Sequence, residues 1–469
     1  MSQSRESAPP AASSPSLRNA ATLLVLRDGP LGIEVLMVRR AERAGDRSSG
    51  SYVYPGGTLD AQDRRLHAYA DGLDDHAASQ RLGVDAGGLD FYLAAVRECF
   101  EEAGLLFARD SAGQPLALDQ LEEAQRALLR DAARHDGLGL AHACAQLGLR
   151  LAVDRLAYFS HWLTPPGLPK RFDTRFFVAI APIGQTAAHD GEEASGHCWK
   201  RPAELLDPAS GLKLEPPTRR TLAAIARFGR AQDCYQHAAA LSGIARIMPR
   251  LGRGEGGLRA VMPEEPCYAE LGHIDPEGRG DARCIIEPGV AVRLGARIWR
   301  ITARAGSDVA GGLGTNTYLV GGGNDNDNDN TWAVIDPGPD DDAHIQAVLA
   351  AAPGPIRWIL STRAHAGQAP AARKLGAATG AQLPGGELRH GERLPIGEGC
   401  TLRVCHGSGH ASGHLCYLLE EERTLFTGSD TDARIDSLAA LPREDVAWLA
   451  PSHGFLVPCP AGAVRTLPA

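Results

Sequence analysis

The chain has 469 residues, long enough for two or three domains, and its 43% hydrophobic and 22% charged content is that of a soluble globular protein. No apolar run approaches the ~20 residues of a membrane-spanning helix, and a net charge of −9 argues against nucleic acid as a partner, because phosphate backbones select basic surfaces. Ten cysteines are scattered without a CxxC pair, so they read as reduced thiols, and the expected location is the cytoplasm.

Residues 1–17 are rich in Ser, Pro and Ala and lack the apolar centre of a secretory signal, so a disordered tail is expected. Ala20–Leu26 and Ile33–Val38 are Leu-rich and β-branched on either side of Asp28-Gly29-Pro30, which is the pattern of a hairpin. Arg39, Arg40, Arg43 and Arg47 follow, then a short strand Ser51–Tyr54 that runs into Pro55-Gly56-Gly57. Loop arginines are most often simply solvated, yet cations leading into a glycine turn also suit phosphate, which guanidinium matches bidentately. The polar, Ala/Gly-rich stretch Arg64–Asp90 reads as a surface excursion. In Leu93–Leu105, a helix advancing ~100° per residue puts Glu98, Glu101 and Glu102 on one face and Leu93, Val96 and Phe100 on the other. Such an acidic face can be plain surface. Three carboxylates this close also raise one another's pKa unless a cation shares the site, which suits hard oxygen-seeking ions such as Mg2+ or Mn2+.

Arg97-Glu98-Cys99-Phe100-Glu101-Glu102-Ala103-Gly104-Leu105 resembles the second half of the Nudix box at every specified position, and Gly57 with Asp63 resembles the first half, Asp standing for the usual Glu. The 39 residues between Gly57 and Arg97 are far more than an uninterrupted box contains. Interrupted boxes occur in the Nudix branch similar to peroxisomal coenzyme A diphosphatases, and His161-Trp162-Leu163-Thr164-Pro165 and Lys170–Phe177 resemble that branch too. Between these motifs, helical spacing over Leu118–Leu149 predicts one or two covering helices, and Tyr158–Ile180 has strand composition. Lys170 and Arg171 either meet phosphate or flank an edge strand. His189–Glu193 stands where Nudix folds often carry an acidic loop residue, with a polar loop as the equal alternative. A helix from Glu215 to Phe228 closes the domain.

The resemblance implies a Nudix α/β/α sandwich over residues 18–232, with an insertion at 64–90. It implies Mg2+ or Mn2+ on Glu98, Glu101 and Glu102, oriented by Arg97, with Glu98 or Glu193 taking a proton. A small-molecule diphosphate would meet Arg39, Arg40, Gly56, Gly57, Lys170 and Arg171, and coenzyme A or an acyl form is what the branch suggests.

Residues 233–286, with many Gly, Pro and Arg, read as a linker with some strand content. From Glu287 to Ala469 the chain resembles the metallo-β-lactamase αββα sandwich, in Gly314–Val320, Ala333–Gly338, a helix Asp341–Ala352 and a strand Ile356–Ser361. Where that family has T-H-x-H-x-D-H, this chain has Thr362-Arg363-Ala364-His365-Ala366-Gly367-Gln368. His410 and His453 are kept, whereas Ser429 stands in place of the bridging carboxylate and Asp430 falls one position late. Arginine has no lone pair to donate, so Arg363, His365, Gln368, His410, Asp430 and His453 form a vestigial site, and neither zinc nor hydrolysis is expected there. The fold class is therefore α+β and α/β, and the expected function is metal-dependent hydrolysis of a diphosphate linkage in a nucleotide-type substrate. A metallo-β-lactamase-fold hydrolase with an accessory Nudix domain, or a non-catalytic scaffold, are the other readings; the Nudix residue set is the complete one. Oligomeric state is left open.

Overall fold

A computed structural model describes residues 16–42, 49–134, 139–188, 194–304, 314–322, 330–362, 369–384, 388–406, 415–428 and 446–459. The chain divides into two compact units, Met1–Pro249 and Arg250–Ala469. Its ten cysteines are free, and no helix among the described residues is long and apolar enough to cross a membrane.

The first unit is built on a mixed sheet whose central strand is Leu17–Gly29. That strand pairs antiparallel with Gly32–Arg40, closing the expected hairpin at Gly29 opposite Gly32, and parallel with Arg171–Ile180. It is buried on both faces, which is why Leu23-Leu24-Val25-Leu26 reads as a continuous apolar run instead of an alternating one. Leu23 and Val25 pack with Tyr92, Leu93 and Val96 of the helix Gly88–Ala103. Behind the sheet, Tyr54 sets its ring edge-on to Phe176, and its hydroxyl lies 2.9 Å from the Thr221 hydroxyl on the helix Pro216–Ile225. Helices thus cover both faces of the sheet. The predicted cover over Leu118–Leu149 consists of two helices, Glu123–Ala132 and Leu140–Leu147.

The insertion differs from the expected surface excursion. It forms a short 3-10 helix Leu66–Tyr69 and a helix Asp75–Leu82, and buries Leu66, Ala78 and Leu82 in the same core as the acidic helix. These apolar residues are few and spread among polar ones, so overall composition hides a real buried face. Asp75 accepts hydrogen bonds from the backbone N–H groups of Gly87 (3.1 Å) and Leu89 (2.9 Å), pinning the start of the helix that carries the glutamates.

The second unit stacks two sheets. Tyr318, Ile335 and Leu360 of one meet Leu402, Tyr417 and Phe426 of the other, and the helices Asp342–Ala351 and Ala369–Thr379 pack on the outer face of the first through Ile345, Val348 and Leu375. Asp336 ties strand ends together: its carboxylate accepts from the Thr362 N–H (2.8 Å) and hydroxyl, and from the Ser452 hydroxyl (3.2 Å).

The stretch expected to be a linker is shared between the units. The helix Ala231–Ala240 and the strand Arg246–Ile247 belong to the first, whereas the hairpin Arg250–Gly254 with Gly257–Val261 and the helix Tyr268–Ile274 belong to the second. Glu270 on that last helix is buried and accepts from both terminal nitrogens of Arg300 (2.6 and 2.9 Å) and from the Leu456 N–H (2.7 Å). Breaking a buried ion pair from one side leaves an uncompensated charge, at a cost of about 3–5 kcal/mol. A fragment beginning at Glu287 should therefore be less stable to urea than one beginning at Arg250 by about that amount; equal stability would show that the hairpin and helix are mere appendages.

Candidate active site

One buried arginine organises the acidic helix. Arg97 donates from Nε to Asp63 Oδ1 (2.7 Å) and from Nη2 to Asp63 Oδ2 (3.2 Å) and the Thr58 carbonyl (3.1 Å). Its remaining terminal nitrogen donates to Glu98 (2.9 Å) and Glu101 (3.0 Å). Asp63 is itself fixed as the third residue of a capping box, accepting from the Asp60 N–H at 2.7 Å. Its sequence distance from Arg97 is large, but the insertion folds back so that the two halves of the motif meet.

The glycine turn supplies the opposite wall. A Cβ on Gly56 would lie 2.5 Å from the Ala21 carbonyl oxygen, so that position excludes a side chain, and one on Gly57 would lie 2.3 Å from Glu98 Oε1, so a side chain there would displace that carboxylate. The Gly56 N–H donates to Glu102 at 3.0 Å. All three glutamates border one cavity of about 1430 Å3, which also meets Arg40, Gly56, Gly57, Phe172 and Thr174.

The other expected residues are distributed less favourably. Arg39 pairs with Glu42 at 2.7 Å, Lys170 is exposed, and Arg171 donates to the Thr164 carbonyl at 3.2 Å; none of the three borders the cavity. Strand alternation is the reason for the last: Phe172 and Thr174 face the cavity, so Arg171 between them and Lys170 does not share their side. Glu193, Arg363, His365, Gln368, His410 and Asp430 lie outside the described residues. His453 is described, with Nδ1 3.1 Å from the Gly314 carbonyl oxygen. Sequence reading missed Arg126, Arg130 and Arg134, which border the cavity from the helix Glu123–Ala132 and the turn after it. Their spacing of four was the available signal.

Burial pushes the Glu101 carboxyl up to about 7, with Arg97 opposing the shift and Glu98 reinforcing it. Burial also raises Asp63 against the pull of Arg97. The charge of Arg97 is opposed by burial, but its hydrogen bonds to Asp63 and the charges of Glu98 and Asp63 outweigh that and drive its pKa up. Among the described residues no three metal-binding side chains converge as a ready ligand sphere, since Arg97 occupies Glu98 and Glu101. The chemistry of the set nonetheless fits a hard divalent cation, since its donors are all carboxylate oxygens.

Because the folded-state pKa of Glu101 lies above its unfolded value, the folded protein binds the extra proton, and this group's stabilisation is lost as pH rises from about 4.5 to about 7. With chelator present, Glu101→Gln should be more stable than the parent at pH 8, by on the order of 1–3 kcal/mol, with no difference near pH 4. Urea unfolding of both proteins across this range tests it; parallel pH profiles would contradict the assigned shift.

Comparison with known proteins bears on both units. Residues 74–219 match the family model of the NUDT19 Nudix domain. The human acyl-coenzyme A diphosphatase NUDT19 is 28% identical over 278 residues, covering 51% of this chain and 73% of the relative. The lactamase-like protein aptB of Emericella nidulans is 33% identical over 164 residues, covering 31% of this chain and 52% of the relative. A solved Nudix hydrolase from Alicyclobacillus acidocaldarius aligns at 28% identity over 47% of this chain and 96% of its own, with a TM-score of 0.39. The first unit thus matches a Nudix domain, with the motif halves joined by Arg97 and Asp63, which indicates a hydrolase acting on diphosphate bonds, and the second unit is similar to lactamase-like proteins.

Proposed function

We propose that the first unit cleaves the diphosphate linkage of coenzyme A or an acyl-coenzyme A, using Mg2+ or Mn2+ held by Glu98, Glu101 and Glu102. The observation that carries this reading is the placement of three carboxylates along one wall of a cavity of about 1430 Å3, Glu98 and Glu101 tied to Arg97 and Glu102 to the Gly56 N–H. Sites for drug-sized ligands run to roughly 300–1,000 Å3, so this space is suited to a long substrate more than to a simple diphosphate. The substrate is supported by the names of the relatives, which are acyl-coenzyme A diphosphatases.

Glu98, Glu101 and Glu102 would hold the divalent cation, which would supply charge neutralisation and water activation. The chain's own part is positional. Arg97 keeps its two bonds to Asp63 whichever way the glutamates turn, so Glu98 and Glu101 can exchange one of its nitrogens for a cation without orphaning the guanidinium. Glu98, seated against Gly57, is the carboxylate best confined to take the proton of an attacking water. Gly56 and Gly57 leave backbone bare where a diphosphate must approach closely, and Arg40 borders the same space as a cation for it.

Phosphate-ester products measured with coenzyme A and Mg2+ or Mn2+ test the reading. Glu101→Gln and Glu102→Gln should each lower kcat about 100-fold with the fold retained. Near-parental turnover by either variant at limiting metal would remove that residue from the ligand set.

A further inference from the structure

Deepening that reading of the site, we propose that Arg126 and Arg130 form a second anion subsite that selects substrates carrying a phosphate monoester in addition to the scissile diphosphate. The cavity has two chemically distinct walls. One presents Glu98, Glu101 and Glu102; the other is the helix Glu123–Ala132, whose Leu129 and Ala132 are buried while Arg126, Arg130 and, just beyond its end, Arg134 border the same space. Arginines four residues apart share a helix face, so their guanidinium groups can close on one ligand.

A diphosphate held at the acidic wall leaves these arginines to recognise some other anionic group. In the free protein Arg126 and Arg130 both engage Glu123, Arg126 at 3.1 Å. That pairing is solvent-exposed, at 38% for Arg126, 63% for Arg130 and 69% for Glu123, and exposed ion pairs contribute little, about 0–1 kcal/mol. A phosphate monoester carries nearly two charges and three acceptor oxygens, so it outcompetes a single solvated carboxylate for two guanidinium forks. Glu123, which does not border the cavity, then acts as a placeholder partner for the two arginines until substrate displaces it.

Two pairs of probes differing only in one monoester separate this subsite from the diphosphatase reading. Full-length protein and an Arg126→Gln/Arg130→Gln double variant are titrated calorimetrically with adenosine monophosphate and adenosine 3′,5′-bisphosphate, then assayed with coenzyme A and its 3′-dephospho form. The parent should prefer the bisphosphate about tenfold, the double variant should lose that preference, and Glu123→Gln should strengthen it about threefold by removing the competitor. In the assays, the ratio of kcat/KM between the two coenzymes should collapse toward one in the double variant. A parent without preference, or a double variant that keeps it, overturns the subsite. Loss of the binding preference in the variant, with no turnover of either coenzyme by the parent, would uphold the subsite and overturn the substrate assignment instead.

Discussion

The Asp63–Arg97 pair is the constraint on which the first unit's chemistry depends. Arg97 is buried beside three carboxylates, and burial alone would make its charge costly. Two bonds to Asp63 and one to the Thr58 carbonyl compensate it and fix the guanidinium plane, so that its remaining nitrogen reaches Glu98 and Glu101 from a set direction. The pair also joins parts of the chain that sequence separates. Asp63 stands on the short helix after the glycine turn, Arg97 stands on the acidic helix, and the intervening insertion packs Leu66, Ala78 and Leu82 into the common core. An insertion inside a catalytic motif is tolerable because its two ends are clamped by this charge-assisted fork and its middle has its own buried face.

Much of this was legible in the residues. The hairpin showed in two apolar runs around a turn, the acidic helix in its period, and the pairing of motif halves in Gly57, Asp63 and Arg97. What was not legible depended on contacts between distant segments. The insertion reads as polar because buried positions at wide spacing do not dominate composition. Residues 233–286 read as a linker because their glycines and prolines mask Glu270, whose role appears only when Arg300, thirty positions away, is seen buried against it. Lys170 and Arg171 were attractive as charges beside a motif, but Lys170 stands exposed before the strand and alternation turns Arg171 away from the cavity that Phe172 and Thr174 face. Conversely, Arg126 and Arg130 had no motif around them, and only the fold brings their helix face to the same space as the glutamates.

The second unit shows the same logic applied to architecture. Asp336, in a left-handed conformation at the end of Trp332–Ile335, satisfies the Thr362 N–H and hydroxyl and the Ser452 hydroxyl. Asn316 likewise donates to the carbonyls of Pro451 and Gly454 while accepting from the Thr302 hydroxyl. Buried polar groups of this kind, fully partnered, hold strand ends in one register.

The claim that Asp63 governs the glutamates through Arg97 is tested most directly by Asp63→Asn, which keeps shape and one acceptor but removes the charge. Partners one step removed from metal ligands typically alter metal affinity or activity by about 10–100-fold when changed. The expected result is a drop of that size in diphosphate hydrolysis, with the half-saturating Mn2+ concentration shifted upward and the circular dichroism spectrum preserved. Unchanged metal dependence and turnover in a folded Asp63→Asn protein would contradict the account, leaving the pair with a purely structural role.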